Sequence, residues 1–318
     1  MALLRIKETN VLSILGLMGT ALELGLISAL TVLALYLSYT CLNVCDLSTD
    51  GCFTLGAAVG AVTVLMGHPY LSIPAAMLSG VLSGFVTAFL QTRMGIDSLL
   101  SGIVVNTGLY SINIAVMANA SLLNMNKCET VFTKLSAVLK GTPLAGQNKL
   151  IIALIAVAAV IIFLSVFLRT RLGLAIRATG NNPAMVRSSS IDPAFTTMVG
   201  LCISNSFTAL SGCLLAQSQK SANIDIGTGM LTVALASLLI GGTFIRKGGV
   251  TLRAIGAVAG ACIFRLVYMA ALRFNMPAYM LKLVSSLIVI AAISGPYFRS
   301  KLPLYRRAAA QRKGGSHA

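Results

Sequence analysis

Long apolar runs fill most of the chain, with few charges inside them and no sustained alternation of apolar and polar positions. They fall at 12–41, 51–67, 70–92, 96–118, 149–168, 195–217, 228–245, 249–272 and 278–298. Each approaches or exceeds the roughly 20 helical residues, at about 1.5 Å apiece, that cross a bilayer core of ~30 Å. The pattern predicts an all-α polytopic membrane protein of about nine transmembrane helices, with eight as the alternative if the N-terminus lies inside. One transmembrane domain over 1–298 and a basic cytoplasmic tail over 299–318 account for the whole chain. The first run is too long for the apolar part of a signal peptide and lacks a clear small-residue cleavage site, so it reads as a retained span.

Composition agrees: 57% of residues are hydrophobic, 10% are charged and the mean hydropathy is +0.89, against roughly 25% charged residues in soluble domains. The net charge of +16 would suggest nucleic acid in a soluble protein. Here the basic residues cluster in short connections and in the tail, where they set topology and meet the lipid bilayer; no nucleic-acid partner is expected. With the C-terminus cytoplasmic, 14 Lys and Arg fall inside, eight outside and two within spans. That distribution places 169–192 and the tail in the cytoplasm, against a mild counterweight from Arg5, Lys7 and the four lysines of the 119–149 loop. Six of the seven cysteines lie in or beside apolar runs and Cys128 stands alone in a loop, so no structural disulfide is expected. Cys41, Cys45 and Cys52 have no histidine near them and read as packing residues, not metal ligands.

The most unusual segment is "TRLGLAIRATGNNPAMVRSSSID", residues 170–192, polar and basic between two spans. Leu172, Leu174, Ile176 and Met185 among arginines predict short helices at the membrane surface. The GNNP turn separates them: Asn181 and Asn182 can cap the following helix, and Pro183 suits its first turn. Such a segment can anchor to anionic lipid or dock a soluble partner.

Small residues recur at helix-packing spacing in Gly56 and Gly60, Gly80 and Gly84, and Gly256 and Gly260, where close backbone approach supplies dispersion contacts. The similarity between "TDGCFTLGAAVGAV" and later glycine-rich spans is too weak to establish an internal repeat. Asn106, Asn113, Asn205 and Gln217 are amides inside apolar spans. Each is either a helix–helix hydrogen bond or a pathway residue. Glu23 is the carboxylate expected deepest in a span, and a secondary transporter or channel would use such a group for ion coupling. No GxxxxGK[ST] loop occurs, and neither histidine forms a nucleophile–base arrangement with a neighbour, so no catalytic residues are assigned.

The 170–192 segment resembles the cytoplasmic coupling segment of permeases from ATP-binding-cassette importers of the branched-chain amino acid and ribose type. "ANIDIGTGMLTVALASLLIGG" followed by "GGV" resembles the helix and glycine-rich turn beyond it, and "YLSYTCLNVCDLSTDGCFTLGAAVGA" resembles a narrower branch associated with tryptophan or tyrosine import. The resemblance runs over about residues 12–298. It implies a non-hydrolytic subunit of the cell membrane that pairs with a second copy of itself, two cytoplasmic ATPase subunits and an external substrate-binding protein. It implies no cofactor on this chain, with ATP and Mg held by the ATPase, and an amino acid as substrate. In that frame Arg171, Arg177, Gly180, Asn181, Asn182, Pro183 and Arg187 would couple to the ATPase, and Asn106, Asn113, Asn205 and Gln217 would line the pathway at the dimer interface.

Two carboxylates remain, in the "DLSTDG" that joins the first two spans. Asp50 is placed to cap the helix beginning near Gly51. That leaves Asp46 unexplained. The functional alternative puts Asp46 and Asp50 at a narrow cytoplasmic part of the pathway, facing a substrate ammonium or holding a gate.

Overall fold

A computed structural model describes residues 2–138, 148–245 and 248–272, together with 280, 283, 285–291 and 294; side chains are described from residue 16. The tail 299–318, most of the expected span 278–298, Arg246 and Lys247 lie outside the described residues. The described chain is helical almost throughout. It runs α1 (Ala2–Leu35), a π-helical turn (Tyr36–Cys41), α2 (Thr49–Leu65), α3 (Ser72–Thr92), α4 (Ser98–Val116), strand β1 (Leu122–Asn124), α5 (Val131–Val138) and α6 (Asn148–Phe167). It continues as α7 (Arg171–Asn181), α8 (Pro183–Ser188), α9 (Pro193–Gln219), strand β2 (Ser221–Asn223), α10 (Met230–Phe244) and α11 (Val250–Leu272). Six of these helices are long and apolar enough to cross a membrane, and the shorter apolar α2 and α10 join them. Hydroxyls inside them bond back to carbonyls three or four residues earlier, as Thr87 does to Ser83 and Ser237 to Val233, so few polar groups are left open to lipid.

At the centre α1 and α9 lie antiparallel. Ser204 Oγ donates to the Ala34 carbonyl at 2.8 Å and Ser211 Oγ to the Ile27 carbonyl at 2.7 Å. These two helices bury 78% of their most apolar windows, against 22 to 33% in α3, α4, α6 and α11. The outer helices instead expose Leu78, Phe85, Ile103, Ile155 and Val166, which suits a lipid-facing surface.

Glycines set the spacing. At each of the six positions that the sequence singles out, an added Cβ would meet a neighbouring helix at 3.2 Å or less. The obstructing atoms include Ala209 backbone for Gly56, Cys213 Sγ for Gly60, Asn205 O for Gly80, Leu201 O for Gly84, Gly241 O for Gly256 and Ser237 O for Gly260. Gly56 and Gly60 follow Ala209 and Cys213 in the same order, so α2 runs parallel to α9; Gly80 and Gly84 meet Asn205 and Leu201 in reverse, so α3 is antiparallel to it.

This register corrects the depth of the first connection. The sequence reading sets DLSTDG at a cytoplasmic connection between two full spans, but Cys52 Sγ, in the first turn of α2, bonds the carbonyl of Asn205 near the middle of α9 at 3.3 Å. After Leu42 the chain turns back, with Asn43 at a positive φ of 56°, and α2 starts halfway up the bundle. A second break mirrors the first. Beyond β2, Ile224 packs on Ala58 and Met117, and Gly227 lies against Asp50 and Thr54. The chain thus descends beside α2 before α10 begins.

An inverted repeat follows, which sequence similarity alone does not establish. In each half a long central helix leads through a break into a short helix and then a returning helix: α1, α2, α3 and α9, α10, α11. Each returning helix packs on the other half's central helix, α3 on α9 and α11 on α1, where Gly25 faces Cys262. Because α1 and α9 are antiparallel, the two halves have opposite orientation. The strands β1 and β2 pair antiparallel, Leu122 opposite Asn223, and bring together two connections that the sequence reading assigns to one side.

Candidate functional site

The site begins with Asp46, 1% exposed. Its Oδ1 accepts from the Ser48 backbone N–H at 2.8 Å and from Ser48 Oγ at 2.6 Å, while Oδ2 accepts from Asn205 Nδ2 at 2.9 Å. Thr87 Oγ1 reaches Ser48 Oγ at 3.3 Å. The connection, α3 and α9 are thereby tied at mid-bundle, where an unpaired carboxylate would be costly.

Asp50 does not cap its own helix. The residue before α2 is Ser48, whose side chain makes no capping bond. Instead, Asp50 Oδ2 accepts from the Gly229 N–H at 2.9 Å and Oδ1 from the Leu231 N–H at 2.8 Å. It caps α10 from across the repeat, which α10 requires because Gly229, at φ 83°, supplies no side chain. The charge therefore sits at the N-terminal ends of both short helices, where dipoles favour an anion.

The amides divide by surroundings. Asn113 Nδ2 donates to the Gly51 carbonyl at 3.2 Å. Gln217 joins three elements: Nε2 donates to Ser72 Oγ at 2.7 Å and Oε1 accepts from the Val131 N–H at 3.1 Å. Asn113, Asn205 and Gln217 are buried, whereas Asn106 beside Gly51 and Asp50 itself are half-buried. Along the descending segment and the first turn of α10, Asn223, Asp225, Thr228 and Thr232 are exposed. A polar strip therefore opens at mid-depth next to Asp50.

Glu23 lies at the hairpin end. Oε1 accepts from Ser218 Oγ at 2.8 Å and pairs with Lys149 Nζ at 3.7 Å, so its charge is balanced within the chain. Arg265 of α11 is the residue that the sequence reading passed over. It is half-buried, its Nε is buried without a hydrogen-bond partner, and Nη2 lies 4.0 Å from Met230 Sδ. A charge inside the 249–272 run was the available signal.

The basic segment forms the two short helices expected of it. Thr170 caps α7 by accepting from the Gly173 N–H at 3.2 Å, and Asn182 caps α8 by accepting from Ala184 and Met185 N–H, with Pro183 in the first turn. Asn181 closes α7. Ile176 and Val186 point inward, Thr179 bonds Thr196 at 2.7 Å, and Gly180 meets the Cys41 carbonyl. Arg171, Leu174, Arg177, Met185 and Arg187 are left exposed, an apolar and cationic surface on two helices that themselves contain no Asp or Glu.

A family model described as branched-chain amino acid transport system, permease component, matches residues 17–293. The chain is 30% identical over 271 residues to a tyrosine transport system permease protein of Clostridioides difficile, covering 85% of this chain and 88% of that one. It is 30% identical to the D-allose transport system permease protein of Escherichia coli, covering 78% and 74%, and 25% identical to a ribose import permease of the same species, covering 78% and 75%. No solved structure matches.

Proposed function

The chain belongs to the family of branched-chain amino acid transport system permease components, and from that premise we propose that two copies of it form the translocation pathway of an ATP-binding-cassette importer for an amino acid. The polar strip beside Asp50 carries this reading. Lipid at mid-depth would leave exposed polar groups and the opening of a helix unsolvated, so this face meets water or a second copy. An external binding protein delivers the solute, and ATP and Mg belong to the partner ATPase. The tyrosine permease relative and the negative charge of Asp50 favour a solute bearing an ammonium group over the sugars handled by the other relatives.

The ATPase docks on α7 and α8. Their inward residues fix them to the bundle, and their outward face offers Leu174 and Met185 between arginines. Arg177→Glu is expected to lower substrate-stimulated ATP hydrolysis by about tenfold in a reconstituted complex, or ~1.4 kcal/mol. Lys127→Glu, exposed in the 119–149 loop, is the matched control and should change little. Equal, small effects would reduce the segment to a lipid anchor and remove the docking proposal.

The same reading places α7, α8 and the C-terminus in the cytoplasm and the hairpin outside. In a cysteine-free background on intact cells, a membrane-impermeant thiol reagent should label Asn126→Cys and spare Ser188→Cys. Both positions are exposed; the reverse labelling would invert the topology. Thr142, in the same 119–149 loop and expected on the same side, lies outside the described residues.

A further inference from the structure

Resting on the reading of this chain as a solute pathway, we propose that Arg265 is the carboxylate-recognising pole of that pathway and acts with Asp50 to select zwitterionic amino acids. Arg265 lies in the membrane-crossing helix α11 and takes part in no ion pair among the described residues. Its counter-charge is also hard to find elsewhere in the chain, which has only eight acidic residues. Asp46 and Asp50 are bound as described, Glu23 is held by Lys149 and Ser218, and Glu129 pairs with Lys134. Asp97 and Asp192 cap α4 and α9 by accepting from the Leu99 and Ala194 N–H groups, and Asp225 is exposed on the polar strip. Glu8 stands on α1 far above Gly25, the residue that faces Arg265, at a distance of about 25 Å along the helix. The segments outside the described residues contain no Asp or Glu.

A charged group in a membrane interior is retained at considerable cost and is ordinarily paired. The Arg265 guanidinium lies against Met230, at the start of α10, and 5.9 Å from the Tyr268 ring. Met230 is the residue between Gly229 and Leu231, whose N–H groups bind Asp50. A guanidinium and a carboxylate thus address the same first turn of α10, which begins at mid-depth. A carboxylate arriving there would find the forked donor of the Arg265 guanidinium, and an attached ammonium would find Asp50. A neutral sugar would satisfy neither pole.

The test uses the complete complex of permease, ATPase and binding protein in proteoliposomes, with radiolabelled L-tyrosine and D-ribose as probes. Wild type is expected to import L-tyrosine and exclude D-ribose. Arg265→Met, similar in length and apolar, should lower L-tyrosine import by about tenfold or more, while Arg265→Lys restores part of it. Removal of an unpaired buried charge should leave the thermal unfolding temperature of Arg265→Met unchanged or raised, with the permease dimer intact by light scattering. Wild-type import in Arg265→Met would overturn the proposal while leaving the importer reading in place. Loss of the dimer or of thermal stability along with import would also overturn it, by assigning Arg265 to subunit contact or to the fold. Import of D-ribose and not L-tyrosine by wild type would reject both this inference and the amino acid reading.

Discussion

Gly56→Val is expected to prevent accumulation of folded permease. An added Cβ at Gly56 meets the Ala209 carbonyl and Cα, and Gly212 on the facing helix meets the Phe53 carbonyl in the same way. Both obstructions are backbone, so no side-chain rotation relieves them; α2 must move away from α9. That movement would also pull Cys52 from the Asn205 carbonyl and strain the Asp46–Asn205 bond. Overpacking by itself costs about 1–3 kcal/mol, and the loss of linked buried polar bonds adds to it. Gly242→Val is the control, because nothing lies within 4 Å of its added Cβ. In detergent extracts examined by size-exclusion chromatography, Gly242→Val should elute as wild type and Gly56→Val should aggregate or be lost to proteolysis. A monodisperse Gly56→Val protein would show that α2 and α9 do not need this contact.

The two substitutions also separate what could be read in the chain from what could not. Each of the first eight apolar runs corresponds to a described helix, and the glycine spacing marks where helices touch, because apolar composition and small-residue spacing are local signals. The cap at Asn182 is likewise local. Depth is not. Hydropathy is similar for a helix that spans the membrane and one that begins halfway through it, so 51–67 and 228–245 have the sequence pattern of ordinary spans. Their half-depth starts come from packing against α9 and from the breaks at 42–48 and 220–229. The bond from Asp50 to α10 crosses 179 residues to Gly229, beyond the reach of any motif. The inverted repeat is hidden because the two halves preserve the order and packing of helices, with little likeness in the residues themselves. The small helix α5 and the hairpin leave no comparable signature, because the polarity of their loops has no sustained period.

The last expectation separates the two aspartates of DLSTDG, which the sequence presented as equivalent. Asp46 is bonded on both oxygens inside the bundle, and the Oδ1 of its partner Asn205 is buried without a hydrogen-bond partner. Asp46→Asn can therefore be absorbed. The new amide oxygen keeps the Ser48 bonds, and a flip of the Asn205 amide offers its oxygen to the new NH2. Asp46→Leu has no such remedy: it strands Asn205 and the Ser48 groups, at about 1–3 kcal/mol for each buried group left unpaired, and should fail to fold. Asp50 differs because its two oxygens receive two backbone N–H groups at the opening of α10. Asparagine keeps one of those bonds, turns an NH2 toward the other donor and removes the charge from a half-exposed position on the polar strip. Assembly should survive, since a cap of this kind contributes on the order of 1 kcal/mol. L-Tyrosine uptake in reconstituted complexes should fall by tenfold or more in Asp50→Asn, a barrier change of roughly 1.4 kcal/mol or above, while Asp46→Asn stays close to wild type. Equal uptake by the two asparagine variants would make Asp50 a helix cap and nothing more, whereas loss of uptake in Asp46→Asn with assembly intact would move the functional carboxylate from Asp50 to Asp46.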